Sequence, residues 1–184
     1  MKFLARFALF VSLSLLLFGC TSPPAQTPVS PTPLIAENTP LEKAVEQMKD
    51  FMRENPDRMV SSTAPIEADR GFQSAGIAKK GFFKNLNYMS SGSASIETKD
   101  GKNFIVFGDD FNTPNGPDVV VYLTKNSGPP TREDIKAGIF IGELKSTAGK
   151  QVYEIPAGVG ISGIKSVTLH CRAFNVPWSY APLD

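Results

Sequence analysis

From Lys80 to the C-terminus, apolar and polar residues alternate with a period of two, and clusters of turn formers break the alternation repeatedly. In an extended chain successive side chains point to opposite faces, so each run offers one face to a core and one to water. The runs fall at residues 92–98, 103–107, 119–124, 139–145, 151–155 and 164–174, with a short one near Phe82. Between them stand Asp100-Gly101, Asn115-Gly116-Pro117-Asp118, Gly128-Pro129-Pro130, Ala148-Gly149 and Gly158-Val159-Gly160. These are residues that tolerate positive φ or fix a bend, as tight connections require. About seven short strands spaced in this way predict an all-β fold, an antiparallel β-sandwich or the related barrel. Residues 130–137 mix acids and bases and read as a single helical turn.

Upstream of the strands the pattern changes. Thr39 suits a helix N-cap and Pro40 a first helical position. Leu41, Ala44, Val45, Met48, Phe51 and Met52 then recur at i, i+3, i+4 spacing, giving one apolar stripe that Asn55-Pro56 ends. An amphipathic helix over 39–56 is expected to dock on the β domain. Its polar face mixes acids with lysines, which does not suit an anionic lipid surface. An irregular polar connector covers 57–77, and the β domain covers 78–184. Before the helix, residues 20–38 carry prolines at 23, 24, 28, 31 and 33 among small polar residues. Such a segment is a semi-rigid tether reaching ~50 Å when extended.

Residues 1–19 read as an export leader. Lys2 and Arg6 form a positive start, followed by an apolar or hydroxyl run over 7–18. As a helix that run spans roughly 18 Å, short of the ~30 Å hydrocarbon core, and fits a signal peptide better than a transmembrane segment. It ends in Leu17-Phe18-Gly19-Cys20, which resembles the lipobox of bacterial lipoproteins. The resemblance implies that Cys20 is alkylated with lipid and becomes the mature N-terminus. The alternative is a plain signal peptide with Cys20 near the cut by chance. Two or more acyl chains, at ~0.8 kcal/mol per buried methylene, anchor stably. The expected location is the cell envelope of a bacterium, extracytoplasmic and bound to membrane through Cys20. Thr21 in place of a retaining aspartate favours the outer membrane over the inner one, and both stay open.

About 165 residues remain beyond the leader, enough for one domain and its attachments. A formal net charge of +1, with no basic stripe, gives no reason to expect a nucleic-acid partner. The chain has two cysteines. Assigning Cys20 to lipid leaves Cys171 without a disulfide partner in a compartment that permits disulfides.

Cys171 stands in Val167-Thr168-Leu169-His170-Cys171-Arg172-Ala173-Phe174. On a strand, Val167, Leu169, Cys171 and Ala173 share one face, while Thr168, His170, Arg172 and Phe174 share the other. The neighbouring His170 and Arg172 are therefore expected to point away from the sulfur, although a thiolate needs positive charge nearby. A buried, inert core cysteine is the competing reading. With one histidine in the chain, neither a Cys/His catalytic pair nor a zinc site is expected, and no nucleophile elbow or phosphate loop is present. Haem with Cys171 as axial thiolate needs an open pocket around the sulfur. Asp109, Asp110 and Asp118 flank the Asn115-Gly116 turn; turn chemistry explains them without calcium. Continued alternation would put Trp178 and Tyr180 on the face of Phe174 and Val176, with Pro177 confining that piece to a sheet edge.

Several blocks in order carry a family resemblance. They are Lys80-Gly81-Phe82, Ser91-Gly92-Ser93-Ala94, the run from Asp110 through Asn115-Gly116-Pro117-Asp118 to Leu123, Gly142-Glu143-Leu144-Lys145-Ser146, Gly149-Lys150-Gln151-Val152-Tyr153-Glu154-Ile155-Pro156, and the closing run from Cys171 to Leu183. Residues 78–183 are similar to the electron-transfer DM-thirteen domain. The resemblance implies an extracellular redox role centred on one cysteine, here Cys171, as a free thiol or as a haem ligand. The family usually carries an aromatic or aliphatic residue at position 170, so His170 receives no role from it. The expectation is a membrane-anchored redox or electron-transfer accessory module with a separate redox partner protein. The alternative is a non-catalytic envelope binding or structural module with Cys171 inert. A hydrolase would lack a nucleophile–base pair.

Overall fold

The structure is a computed structural model, and it describes residues 33–59 and 66–184. The leader, Cys20 and the tether as far as residue 32 lie outside the described residues.

Nine strands form two antiparallel sheets. They are β1 (Gly76–Phe82), β2 (Lys84–Asn85), β3 (Ser93–Lys99), β4 (Lys102–Phe107), β5 (Val119–Thr124), β6 (Ile139–Glu143), β7 (Gln151–Glu154), β8 (Ser166–Cys171) and β9 (Val176–Pro182). One sheet runs β1-β3-β4-β7 and the other β2-β9-β8-β5-β6. The all-β sandwich expected from the alternation is the observed class. Two strands went unread. β2 is too short to show a period, and β9 contains Pro177 and a bulge that break one.

The core forms where inward faces meet. Ala94 and Ile96 of β3, Ile105 and Phe107 of β4, Val119, Val121 and Leu123 of β5, and Val167, Leu169 and Cys171 of β8 belong to one buried cluster. Turn chemistry falls as the residue types demand. Asp100 and Gly101 take positive φ between β3 and β4, and Asn175 does so between β8 and β9. At Gly81 a Cβ would overlap the carbonyl oxygen of Pro182, so the backbones of β1 and the end of β9 approach each other only because position 81 is glycine.

A helix, α1 (Leu41–Glu54), packs its apolar stripe on the sandwich. Ala44 and Met48 are fully buried in the core, and Val45, Phe51 and Met52 pack against it. Its N-cap is Pro40, with no side-chain cap bond, rather than Thr39. The connector holds a 3-10 turn at Pro56–Arg58 and a short helix, α2 (Glu67–Arg70). The helical turn expected at 130–137 is α3 (Arg132–Lys136), opened by a capping box in which Thr131 and Asp134 satisfy each other's backbone N–H.

The outer face of the second sheet departs from simple inward/outward alternation. Every residue of β8 is buried. The outward-pointing His170 lines a cleft together with residues of α3 and of the chain at 33–38.

Candidate functional site

Cys171 is the last residue of β8, opposite Val119 on β5 and Val176 on β9. The β5–β8 register is regular throughout, so strict alternation carries Cys171 inward with Val167 and Leu169. Its exposure is 0%. His170 pairs with Val120 and faces the opposite side, as the alternation predicts. Arg172 is held by Asp118, with Nε to Oδ2 at 2.8 Å and Nη2 to Oδ1 at 3.0 Å, and by Glu143 at 3.3 Å. Neither neighbour supplies positive charge to the sulfur.

Burial pushes the Cys171 thiol up to about 12; the Asp118 carboxylate adds to this, and the backbone N–H groups of Phe174, Asp118 and Ala173 oppose it without prevailing. The sulfur is therefore a neutral thiol at physiological pH, and nucleophilic thiolate chemistry is closed to it as it stands. Haem ligation is closed too. The sulfur sits in packed core, and neither described cleft is lined by Cys171. A haem thiolate at Cys171 does not fit this arrangement.

An aromatic pair belongs to the same core region as the thiol: Trp178 shares its buried cluster, and Tyr88 packs against that cluster. Tyr88 stacks on Trp178 with ring centroids 3.8 Å apart and planes 7° from parallel. The Tyr88 phenol is raised above its usual range by burial first and, where the thiol ionises, by the charge on Cys171. Tyr88 Oη donates to Met52 Sδ of α1 at 3.5 Å, and the ring is partly exposed. Trp178 is fully buried, and its Nε1 donates to Thr113 Oγ1 at 2.9 Å. From there a chain of buried hydroxyls runs through Ser90 and Ser179, with both links 2.7 Å long.

Trp178 shares the inward face of Val176, the partner of Cys171, and a bulge falls at this point of β9. The β8–β9 register slips between Leu169 and His170, so Ser179 faces Leu169, Pro177 faces His170, and Trp178 stands unpaired between them. Trp178, Ser179 and Ala181 consequently face the core, while Tyr180 pairs with Thr168 on the other side. The expectation that Trp178 and Tyr180 share a face is corrected here, because continued alternation cannot anticipate an extra residue. Pro177 does lie where β9 has no strand on its outer side, since β2 pairs only with Ser179 and Tyr180.

α1 and the chain before it roof this region. Phe51 packs on Phe174 at 5.4 Å, and Leu34 N–H donates to Ala173 O at 2.8 Å. Tyr88 had no signal in the sequence, because it lies in an irregular stretch with no period.

The acidic residues near the Asn115 turn have separate tasks. Asp118 holds Arg172, and Asp110 Oδ1 accepts from Ser93 N–H and Oγ at 3.0 Å each. Those donated bonds, the backbone one foremost, hold the Asp110 carboxyl below its usual range.

Compared with known proteins, residues 82–183, more than half of the chain, match the family described as Electron transfer DM13. No curated protein and no solved structure matches the chain.

Proposed function

The chain belongs to the electron transfer DM13 family, and from that membership we propose that it is an extracytoplasmic electron-transfer module, held to a membrane by lipid on Cys20, whose redox group is the Cys171 thiol. The observation that carries this reading is the closed setting of the sulfur in a core cluster that also holds Trp178, on which Tyr88 stacks. A dry, protonated thiol has no route to thiol–disulfide exchange, so its oxidation has to proceed one electron at a time. The S–H bond breaks. The electron passes by way of Tyr88 to a one-electron acceptor, a ferric or cupric centre on a separate partner protein. The proton leaves to solvent along the same partly exposed phenol, and sulfur is left as a thiyl radical. One electron and one proton from a donor restore the thiol.

The second reading is a non-catalytic envelope binding or structural module. It is favoured by the same complete burial, which is also what an inert core cysteine shows. Titration of the folded protein with hexachloroiridate(IV), a strong one-electron oxidant, followed by electron paramagnetic resonance, separates the two. Oxidant reduction and a sulfur- or tyrosyl-centred radical should appear in the native protein, fall sharply in Cys171→Ser, and slow in Tyr88→Phe. Equal oxidation of native protein and Cys171→Ser would sink the electron-transfer reading and leave the inert one. For the anchor, metabolic labelling with a fatty acid should mark the native chain and fail in Cys20→Ser.

A further inference from the structure

Among the described residues, three buried side-chain nitrogen or oxygen atoms lack a hydrogen-bond partner: Arg132 Nη2, His170 Nδ1 and Thr168 Oγ1. All three belong to one region. Thr168 and His170 are alternate residues on the outer face of β8, and Arg132 opens α3. His170 and Arg132 line one cleft of about 760 Å³ between α3, the chain at 33–38 and the β5–β8 face. That volume suits a small molecule.

Cations outnumber carboxylates on the cleft lining, with Arg132, Lys136 and Arg172 against Glu37 and Glu133, and Lys136 pairs with Glu37 at 3.5 Å. Arg132 spends Nε on the carbonyl of Asn175 and Nη1 on that of Thr39. Among the described residues no carboxylate pairs with it, whereas Arg172 is neutralised by Asp118 and Glu143. A guanidinium with its charge uncompensated and one nitrogen buried without a partner is a poor way to end a fold, but a good way to receive an anion. His170 is only 3% exposed and stays neutral, its basicity suppressed by burial and then by Arg132 and Arg172. A neutral imidazole offers one N–H. Part of the lining is apolar and aromatic. Tyr122 lies edge-on to His170 at 6.0 Å and to Phe140 at 5.6 Å, with Ile135 beside them.

We propose that this cleft binds a small carboxylic acid as its anion, the carboxylate accepting from Arg132 Nη2 and His170 Nδ1–H, and the apolar or aromatic body lying against Tyr122, Phe140 and Ile135. The site is on the face of β8 opposite Cys171 and does not depend on the redox role of that thiol. Thr168 Oγ1 lies one alternate position further along the same face, outside the cleft lining.

The test uses the full chain, because His170 is its one histidine and gives a single imidazole signal in nuclear magnetic resonance. Benzoate is the probe, and benzamide at equal ionic strength is the uncharged control. A saturable shift of the His170 ring with benzoate, and at least roughly tenfold weaker binding of benzamide, is expected. Calorimetry should show a similar loss of benzoate affinity in Arg132→Gln and in His170→Phe, and none in Cys171→Ser. Should Arg132→Gln loosen the fold through its two backbone contacts, His170→Phe, of similar shape, decides the matter. A ring signal that ignores benzoate, or an equal response to benzamide, or undiminished affinity in His170→Phe, overturns the proposal.

Discussion

At residue scale, two adjacent side chains on one strand meet opposite fates. Cys171 enters the packed core and keeps its proton; His170 enters the covered outer face and loses its own. Both are pH levers on stability. The His170 pKa is lowered from 6.5 to about 3, by burial first and then by Arg132 and Arg172. The unfolded chain therefore binds this proton before the folded one does. The stabilisation is complete above 6.5 and is lost as pH falls toward 3. Denaturant unfolding from pH 7 to 4 should show this loss, and His170→Phe should flatten it relative to the native protein. For Cys171 the folded pKa is raised, so its contribution is complete below the ordinary thiol range and declines as pH climbs toward 12. In the folded protein at neutral pH the thiol should resist a disulfide reagent that reacts promptly after unfolding. Rapid labelling without unfolding would contradict the burial of the sulfur.

At the scale of elements, α1 is a roof with a cooperative stake in the core. Met48 is fully buried, so Met48→Ala should cost about 2–5 kcal/mol and accelerate disulfide-reagent labelling of Cys171 as the helix loosens. Equal labelling rates in Met48→Ala and native protein would separate the helix from the thiol. The β1–β9 approach is less forgiving. Gly81→Ala forces a Cβ into the Pro182 carbonyl and should destabilise by about 1–3 kcal/mol, read as a lower midpoint in denaturant. The capping box of α3 is a smaller term. Thr131→Ala should cost about 1 kcal/mol and, since α3 presents Arg132, should also weaken benzoate binding at the cleft.

At the scale of the whole molecule, the sandwich presents two chemically distinct regions on the two sides of β8. The inner one is dry, aromatic and thiol-bearing; the outer one is a cleft with an unneutralised arginine. Under the proposed function, the tether would hold both within tens of ångströms of a membrane. Much of this was legible in the sequence. Period-two runs and turn formers determined the all-β class, because burial of one face and solvation of the other is a local demand on each strand. The α1 stripe was legible for the same reason at period 3.6. Alternation also settled that Cys171 and His170 point apart, since that depends only on the pleat. What only the tertiary structure decided is what each side chain meets. The bulge that sends Tyr180 to the face opposite Trp178 adds one residue to a ladder, a change with no local signature. Tyr88 reaches Trp178 from an irregular loop, and Arg132 reaches the face of β8 from a separate short helix. Such meetings arise from chain segments far apart in sequence being packed together. Periodicity along the chain says which way a residue points, and the fold alone says what is waiting there.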